Sequence, residues 1–510
     1  MTNAFNQLKL SVVSLGLPVQ TSWVDTIIVG VLSNSHVNLL RHLWWSKIVC
    51  DAKSSMPCFV LPESPSDDLR QAIAALHDTY LVEQKNRKLN VAALFFAISS
   101  YILMLLRVVR LSELTYRQSL IGDIVYDIYL RERGKVTISM WDPALIIKIL
   151  QTVELVSYGL TLIKRYKAGA IFVNQRVALP GAALAVAGEI SGIDIYSFGG
   201  DCLATVLRSK RRREYEYSVS VEQLKSYLAL GENFIDRDHN RIAEYLKNKS
   251  VIRDQVLSFE KSENTFVDAK EKGKVVFVFA HVFNDFPLSN SEGLPYADYY
   301  TWLYNTLLVA AQLKSVHWII KEHPSAGSYP RNNLVFKELT KRFKKHTNIT
   351  FYDANSPISK SNIIKTADCV VTAMGSAGFE YGRHGITVIT AAKGPYSSAS
   401  FAYRGDSKEE YESLLRNIPN LLKPDRERVI EARAVYNLIY WYNRVPSSLF
   451  PSIPHQKAAL SLYKEGGAYL SAVLESLNNN RAVIRSEYIE YVQAISDASF
   501  QRLQRPVLAM

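Results

Sequence analysis

Cysteine is scarce in this 510-residue chain: Cys50, Cys58, Cys202 and Cys369 stand far apart, and none forms a CxxC pair. A disulfide framework or a zinc knuckle is therefore not expected, and scattered cysteines at this density suit a reducing cytosol. There is no GxGxxG, no Walker A, no zinc finger, no RNA-binding aromatic motif, no heptad array, no internal repeat and no low-complexity segment. The stretch Met1–Gln20 holds a lone Lys9, no long apolar core and no small-residue cleavage site, so it does not read as a signal peptide. Long apolar runs are also missing. The longest, Val91–Leu106, is broken by Ser99, Ser100 and Tyr101, and a spanning helix needs about 20 apolar residues. Lys85, Arg87 and Lys88 flank it on one side, Arg107 and Arg110 on the other. It reads either as a buried or partly buried helix or as an interfacial segment resting on anionic lipid.

What the chain has is ordinary globular composition, 48% hydrophobic and 21% charged, with a net charge of +12. At this length two large domains or three smaller ones are expected, with a core that needs no covalent staple. A basic surface attracts nucleic acid, anionic lipid or phosphorylated substrates. The basic residues are dispersed apart from Arg208–Arg213, and no nucleic-acid motif accompanies them. A phosphorylated or lipid-bound substrate is the expected partner, and nucleic acid is not.

The second half is the more legible. Val275–Ala280, His317–Lys321, Ile349–Tyr352, Cys369–Thr372 and Val388–Thr390 read as buried parallel strands. Between them, Tyr299–Leu313, Leu334–Phe343, Ser359–Thr366 and Ala377–Arg383 have helical spacing. The first half alternates more loosely, with strands at Ile27–Leu32, Cys58–Leu61, Ala170–Val173 and Asp194–Ser197 and helices near Asn38–Ile48 and Val177–Gly188. The α/β class follows, as two domains with parallel sheets. A charged, weakly periodic stretch between about Leu246 and Gly273 marks the boundary. The expected domains are residues 1–255, 270–425 and a mostly helical 426–510 that carries Tyr436, Tyr440, Trp441 and Tyr442.

Ligands of open parallel sheets bind at the carboxyl ends of the strands. In the second half those ends deliver His281 and Asp285, then Lys321-Glu322-His323-Pro324-Ser325, Asp353, Gly375-Ser376-Ala377-Gly378 with Glu380, and Lys393. The small residues Gly375–Gly378 let backbone approach an anion, Ser376 is a hydroxyl donor, and Glu380, one turn on, is an acceptor for sugar or ribose hydroxyls. The competing reading is a tight strand–helix turn capped by Ser376, with a solvated Glu380. Lys321 and His323 together suit a nucleotide phosphate, with Pro324 stiffening the turn; the bland alternative is a surface turn. Asp285 is the candidate carboxylate to deprotonate a hydroxyl or stabilise an oxocarbenium-like state, with His281 beside it as the second catalytic candidate. A cap by Asp285 and a core-satisfied His281 fit the spacing equally. Upstream, Asp123 after Gly122 is the acceptor-binding candidate, or else a cap before an amphipathic helix containing Asp127 and Arg131. Asp236-Arg237-Asp238 matches a DxD metal pattern only three residues long, and no metal or other cofactor is assigned.

The segments Ala280–Pro287, Asp298–Leu303, Trp318–Ser325 and Asp368–Gly382, with Ile121–Arg131 upstream, resemble the capsule and surface polysaccharide biosynthesis proteins. The resemblance spans roughly Gly122–Trp441 and is strongest around Lys321–Ser325. It implies a GT-B fold, two Rossmann-like domains facing a cleft, and glycosyl transfer without a bound metal. The His323-Pro324 pair is similar to the motif by which bacterial sialyltransferases and capsular Kdo transferases grip the CMP part of their donor. The resemblance thus implies His323 and Pro324 at the nucleotide and Ser376 at its phosphate. Polymerases that use CDP-glycerol share a His-Pro pair and a serine-containing loop, so CMP or CDP is the implied nucleotide. The chain departs from the sialyltransferases in lacking an acidic-acidic-Gly motif, and Asp285 stands in that place.

The expectation is a cytoplasmic enzyme, peripheral on the inner membrane, moving Kdo or a related acid sugar from a nucleotide-sugar donor to a glycan or glycolipid acceptor of a capsule or lipopolysaccharide. The alternatives are a polyol-phosphate transferase or nucleotide-sugar epimerase on the same scaffold, and a non-enzymatic assembly or export scaffold.

Overall fold

Among the described residues fifteen strands carry the architecture, and their residues explain where they lie. β1 (Asp25–Gly30), β2 (Ser55–Leu61), β3 (Leu81–Gln84), the hairpin β4 (Thr115–Tyr116) and β5 (Ser119–Leu120), β6 (Ala170–Val173), β7 (Asp194–Gly200) and β8 (Leu203–Ser209) occupy the first half. β9 (Lys274–Phe279), β10 (Val316–Lys321), β11 (Ile349–Tyr352), β12 (Cys369–Thr372), β13 (Thr387–Thr390), β14 (Ala402–Arg404) and β15 (Val445–Pro446) follow. In this computed structural model, residues 2–18, 22–30, 36–62, 64–84, 90–200, 203–214, 218–249, 273–356, 358–451 and 466–507 are described.

The chain divides into two compact units. One is Met1–Val125, Pro143–Tyr217 and Tyr442–Met510; the other is Tyr126–Asp142 with Ser218–Trp441. This differs from the division expected at 255/270 and 425/426. Residues 218–249 join the second unit because the helix Glu232–Lys249 packs on the helix Arg426–Asn437: His239 Nδ1 meets Asn437 Oδ1 at 2.9 Å, and Arg433 pairs with Asp236 at 2.5 Å. The tail after Trp441 joins the first because its helices Gly466–Asn479 and Arg481–Ser496 supply buried Tyr469, Leu470, Tyr488 and Ile495 to the core that holds Phe5, Trp44 and Trp45. Of the boundary stretch expected between about Leu246 and Gly273, residues 250–272 lie outside the described residues.

The first unit's sheet has the order β15-β8-β7-β6-β1-β2-β3. β7, β6, β1, β2 and β3 run parallel, and β8 and β15 add antiparallel edges. The run Ile27-Ile28-Val29 is fully buried, as a strand covered on both faces must be. The helix expected over Val177–Gly188 begins instead at Gly181, because the residue before Pro180 is pushed away from helical geometry. β3, β8, β14, β15 and the helix Thr2–Val13 had no counterpart in the sequence reading.

The second unit's sheet is wholly parallel, in the order β11-β10-β9-β12-β13-β14. Chain order reverses between β9 and β12, which is where an open parallel sheet offers a crevice. Its strands end level: Phe279 pairs with both Lys321 and Thr372, and Thr372 with Thr390. The loops after β9, β10, β12 and β13 therefore emerge at one edge. Both units are Rossmann-like, the pair of modules from which the GT-B architecture is made.

Candidate functional site

The site builds outward from the reversal point of the second unit. β9 delivers His281 and β12 delivers Thr372 and Gly375. His281 Nε2 lies 3.0 Å from Thr372 Oγ1, which also accepts from the Gly375 amide at 3.2 Å. The imidazole stacks on Tyr299 with ring centroids 4.4 Å apart. A Cβ on Gly375 would sit 3.0 Å from Thr372 Oγ1 and 3.2 Å from the His281 ring, so glycine is what lets the turn close on the histidine. Gly378 is constrained as tightly, since a Cβ there would meet the Tyr396 hydroxyl, which donates to the Gly375 carbonyl at 2.9 Å.

β10 delivers His323. The Ser325 amide donates to His323 Nδ1 at 3.1 Å, so the neutral ring carries its proton on Nε2, as a donor. Burial, and then the nearby Lys321 charge, pull the His323 pKa down to about 4. Burial, and then His323, pull His281 down to about 3. Two adjacent imidazoles are thus neutral at physiological pH. His281 is braced between Tyr299, Thr372 and the Gly375 turn.

The turn after β12 runs into the helix Ala377–Gly382, with Ser376 exposed at its start. Glu380 is not the solvated group of the bland reading. Its side chain is 16% exposed, with Oε2 3.2 Å from Lys360 Nζ and Oε1 accepting from Tyr440 Oη at 2.6 Å. Burial opposes its charge, yet Lys360 and hydrogen bonds from Tyr440 and Ser376 overcome that and hold its pKa at about 2. Lys360 and Tyr440 are site residues that local spacing could not reveal. Tyr440 had been visible only as part of an aromatic patch.

Other expectations are redirected. Lys321 does not face a phosphate site: it is buried, and its ammonium donates to the carbonyls of Asp353, Ala354 (3.2 Å) and Ser356 (3.4 Å), tying down the loop after β11. Burial lowers its pKa to about 8. Glu322 completes that brace by accepting from the Ala354 amide at 2.8 Å. Pro324 is exposed on the same turn as His323 and Ser325. Asp285 is 41% exposed at its side chain, ion-paired to Arg131 Nη1 at 3.1 Å and accepting from Tyr329 Oη at 3.2 Å, with Arg131 stacked over the Tyr329 ring. Phe286 after it adopts φ +53, a left-handed turn rarely taken by an aromatic residue, and Asp127 accepts from the Leu288 and Ser289 amides that follow. Asp123 lies in the other unit and is 2% exposed, held by Arg212 at 2.5 Å and Arg213 at 3.6 Å. Burial in an ion pair, in place of the expected acceptor contact, is its role here. Asp236 pairs with Arg426 and Arg433, and Asp238 with Arg241 and the Tyr227 hydroxyl. Among the described residues no group of three or more His, Cys, Asp or Glu is arranged to hold a metal.

The class defined by the fold is thus a pair of Rossmann-like α/β units, one with an imidazole-lined edge at its reversal point. No family model and no curated protein matches the chain. Among solved structures it is similar to a glycosyltransferase from Rickettsia africae (12% identity over 94% of this chain and 100% of that one, TM-score 0.26). It is similar to the β-Kdo 2,4-transferase of KpsC from Thermosulfurimonas dismutans (12%, 52% and 79%, TM-score 0.32). It is similar also to the UDP-GlcNAc 2-epimerase from Methanocaldococcus jannaschii in complex with UDP-GlcNAc and UDP (13%, 81% and 99%, TM-score 0.27). At such identities and scores the case for this chain rests on its own sheets and side chains.

Proposed function

We propose that the chain is a glycosyltransferase that takes a sugar from a nucleotide donor, a cytidine nucleotide by the His323-Pro324 resemblance, and passes it to a bacterial surface glycan or glycolipid. The observation that carries this reading is the pair of neutral imidazoles, His281 and His323, at the reversal point of a parallel sheet beside the Gly375 turn. A neutral His323 with a proton on Nε2 is a hydrogen-bond donor aimed at charge that develops on a leaving phosphate, and it needs no proton transfer to act. His281 holds the Gly375 turn in place. Glu380, kept ionised by Lys360 and Tyr440, offers a fixed acceptor for hydroxyls of the donor. Asp285, oriented by Arg131 and Tyr329, is the carboxylate for the acceptor proton. A transferase with these substrates works in the cytoplasm, where nucleotide sugars are made.

Incubation with CMP-, CDP- and UDP-linked sugars and a glycan acceptor, followed by mass analysis, tests the reading. A new glycoside with release of CMP or CDP supports it. A phosphodiester product or a free epimerised sugar sinks glycosyl transfer in favour of the alternatives on the same scaffold.

A further inference from the structure

The helix Val91–Leu105 of the first unit is apolar on both sides. Ala93, Ala97, Tyr101 and Met104 are buried, and the helix packs on Ala144–Tyr166. That neighbour is long and apolar enough to cross a membrane by length and composition, but 44% of its most apolar window is buried inside the protein. The opposite face of Val91–Leu105 carries Val91, Phe95, Ile98, Ile102 and Leu103, continued by Leu106 and Val108. Phe95 is 70%, Ile102 49% and Leu106 67% exposed. The stripe 91, 95, 98, 102 has helical spacing, and the amide of Val108 turns back to the Leu103 carbonyl at 2.9 Å, keeping Val108 at the helix end. A surface helix ordinarily turns charged and polar groups to water. This one turns out no charge at all.

Charge decides what covers the stripe. Residues 85–112 contain Lys85, Arg87, Lys88, Arg107 and Arg110 and no acidic residue. Arg110 is largely exposed and pairs at 3.7 Å with Glu113, itself exposed. A second copy of this face would set the exposed Arg107 and Arg110 against the same cations. An anionic bilayer offers the complement: apolar chains beneath negatively charged headgroups, matching an apolar stripe with arginines at its end.

We infer that Val91–Val108 is a membrane-docking surface, with the helix lying in the interface of an anionic bilayer and Arg107 and Arg110 at the headgroups. It holds the chain at the surface where a lipid-linked acceptor would reside, and it is independent of the nucleotide site in the other unit.

The test is flotation of the full chain at low salt with vesicles of phosphatidylcholine alone or mixed with phosphatidylglycerol. Two variants accompany it, Phe95→Glu/Ile102→Glu and Arg107→Gln/Arg110→Gln. Wild type should float with the mixed vesicles. The first variant should lose about 100-fold or more in partitioning, from two apolar side chains that no longer enter the bilayer. The second should lose about fivefold per charge and depend less steeply on salt than wild type. Both replace exposed groups, so unchanged melting temperatures separate lost docking from lost folding. Absence of wild-type flotation overturns the inference, as does equal flotation of the Phe95→Glu/Ile102→Glu variant. A wild-type dimer in gel filtration that this variant dissociates overturns it in favour of a second copy.

Discussion

Replacing Glu380 by glutamine tests the electrostatics of the second unit most sharply. The carboxyl pKa falls from 4.5 to about 2 on folding, which corresponds to about 3 kcal/mol. Because the folded pKa is depressed, this stability is fully present above pH 4.5 and is lost as pH falls towards 2. About 2 of those 3 kcal/mol should be gone at pH 3. Glu380→Gln should therefore destabilise the unit by roughly 2–4 kcal/mol at pH 7 and by much less at pH 3. Lys360→Met leaves a buried carboxylate without its cation and should cost about as much. The double variant should cost less than the sum of the singles, by at least about 1 kcal/mol, because the two residues form one pair at 3.2 Å. The assay is urea unfolding of wild type, both single variants and the double variant at the two pH values. Strict additivity, or a Glu380→Gln effect as large at pH 3 as at pH 7, would refute the account of this pair.

Gly375→Ala should leave melting within a few degrees of wild type while weakening nucleotide binding at least about tenfold, since its Cβ meets the His281 ring at 3.2 Å; calorimetry reads both effects. Asp123→Ala should destabilise the first unit by about 3–5 kcal/mol through the uncompensated Arg212, and unchanged melting would contradict the buried pair. The pKa values of His281 and His323 are depressed to about 3 and about 4. The stability linked to them is present above pH 6.5 and lost as pH falls through those values. His281→Gln should move the acid-unfolding midpoint of the second unit to lower pH, as followed by circular dichroism.

The second unit was readable because its strands are fully buried runs such as Val275–Val278 with short connections, where apolar continuity is unambiguous. Seven of the nine strands and helices read there begin or end one or two residues from the sequence reading, as where Ser359 caps the helix Lys360–Thr366. β8 escaped notice because the run Arg208–Arg213 dominates its end and suggested a charged surface, whereas Arg208 and Arg212 are committed to Asp194 and Asp123. The membership of residues 442–510 in the first unit depends on packing between residues hundreds of positions apart, such as Trp44 with Tyr488, which no local pattern encodes. The same holds at the site. His281, His323 and Gly375 follow strands and were legible by position. The partners of Glu380, twenty and sixty residues away, were not, and the use of Lys321 as a loop brace is fixed by carbonyls of β11's loop that offer no sequence signal.

Isothermal titration of the purified chain with CMP, CDP, UDP, GDP and ADP, repeated with His323→Ala, tests the central claim most directly. The account predicts binding of CMP or CDP, weakened at least about tenfold when the His323 donor is removed. Absence of binding by all five nucleotides, or cytidine-nucleotide binding untouched by His323→Ala, would contradict it.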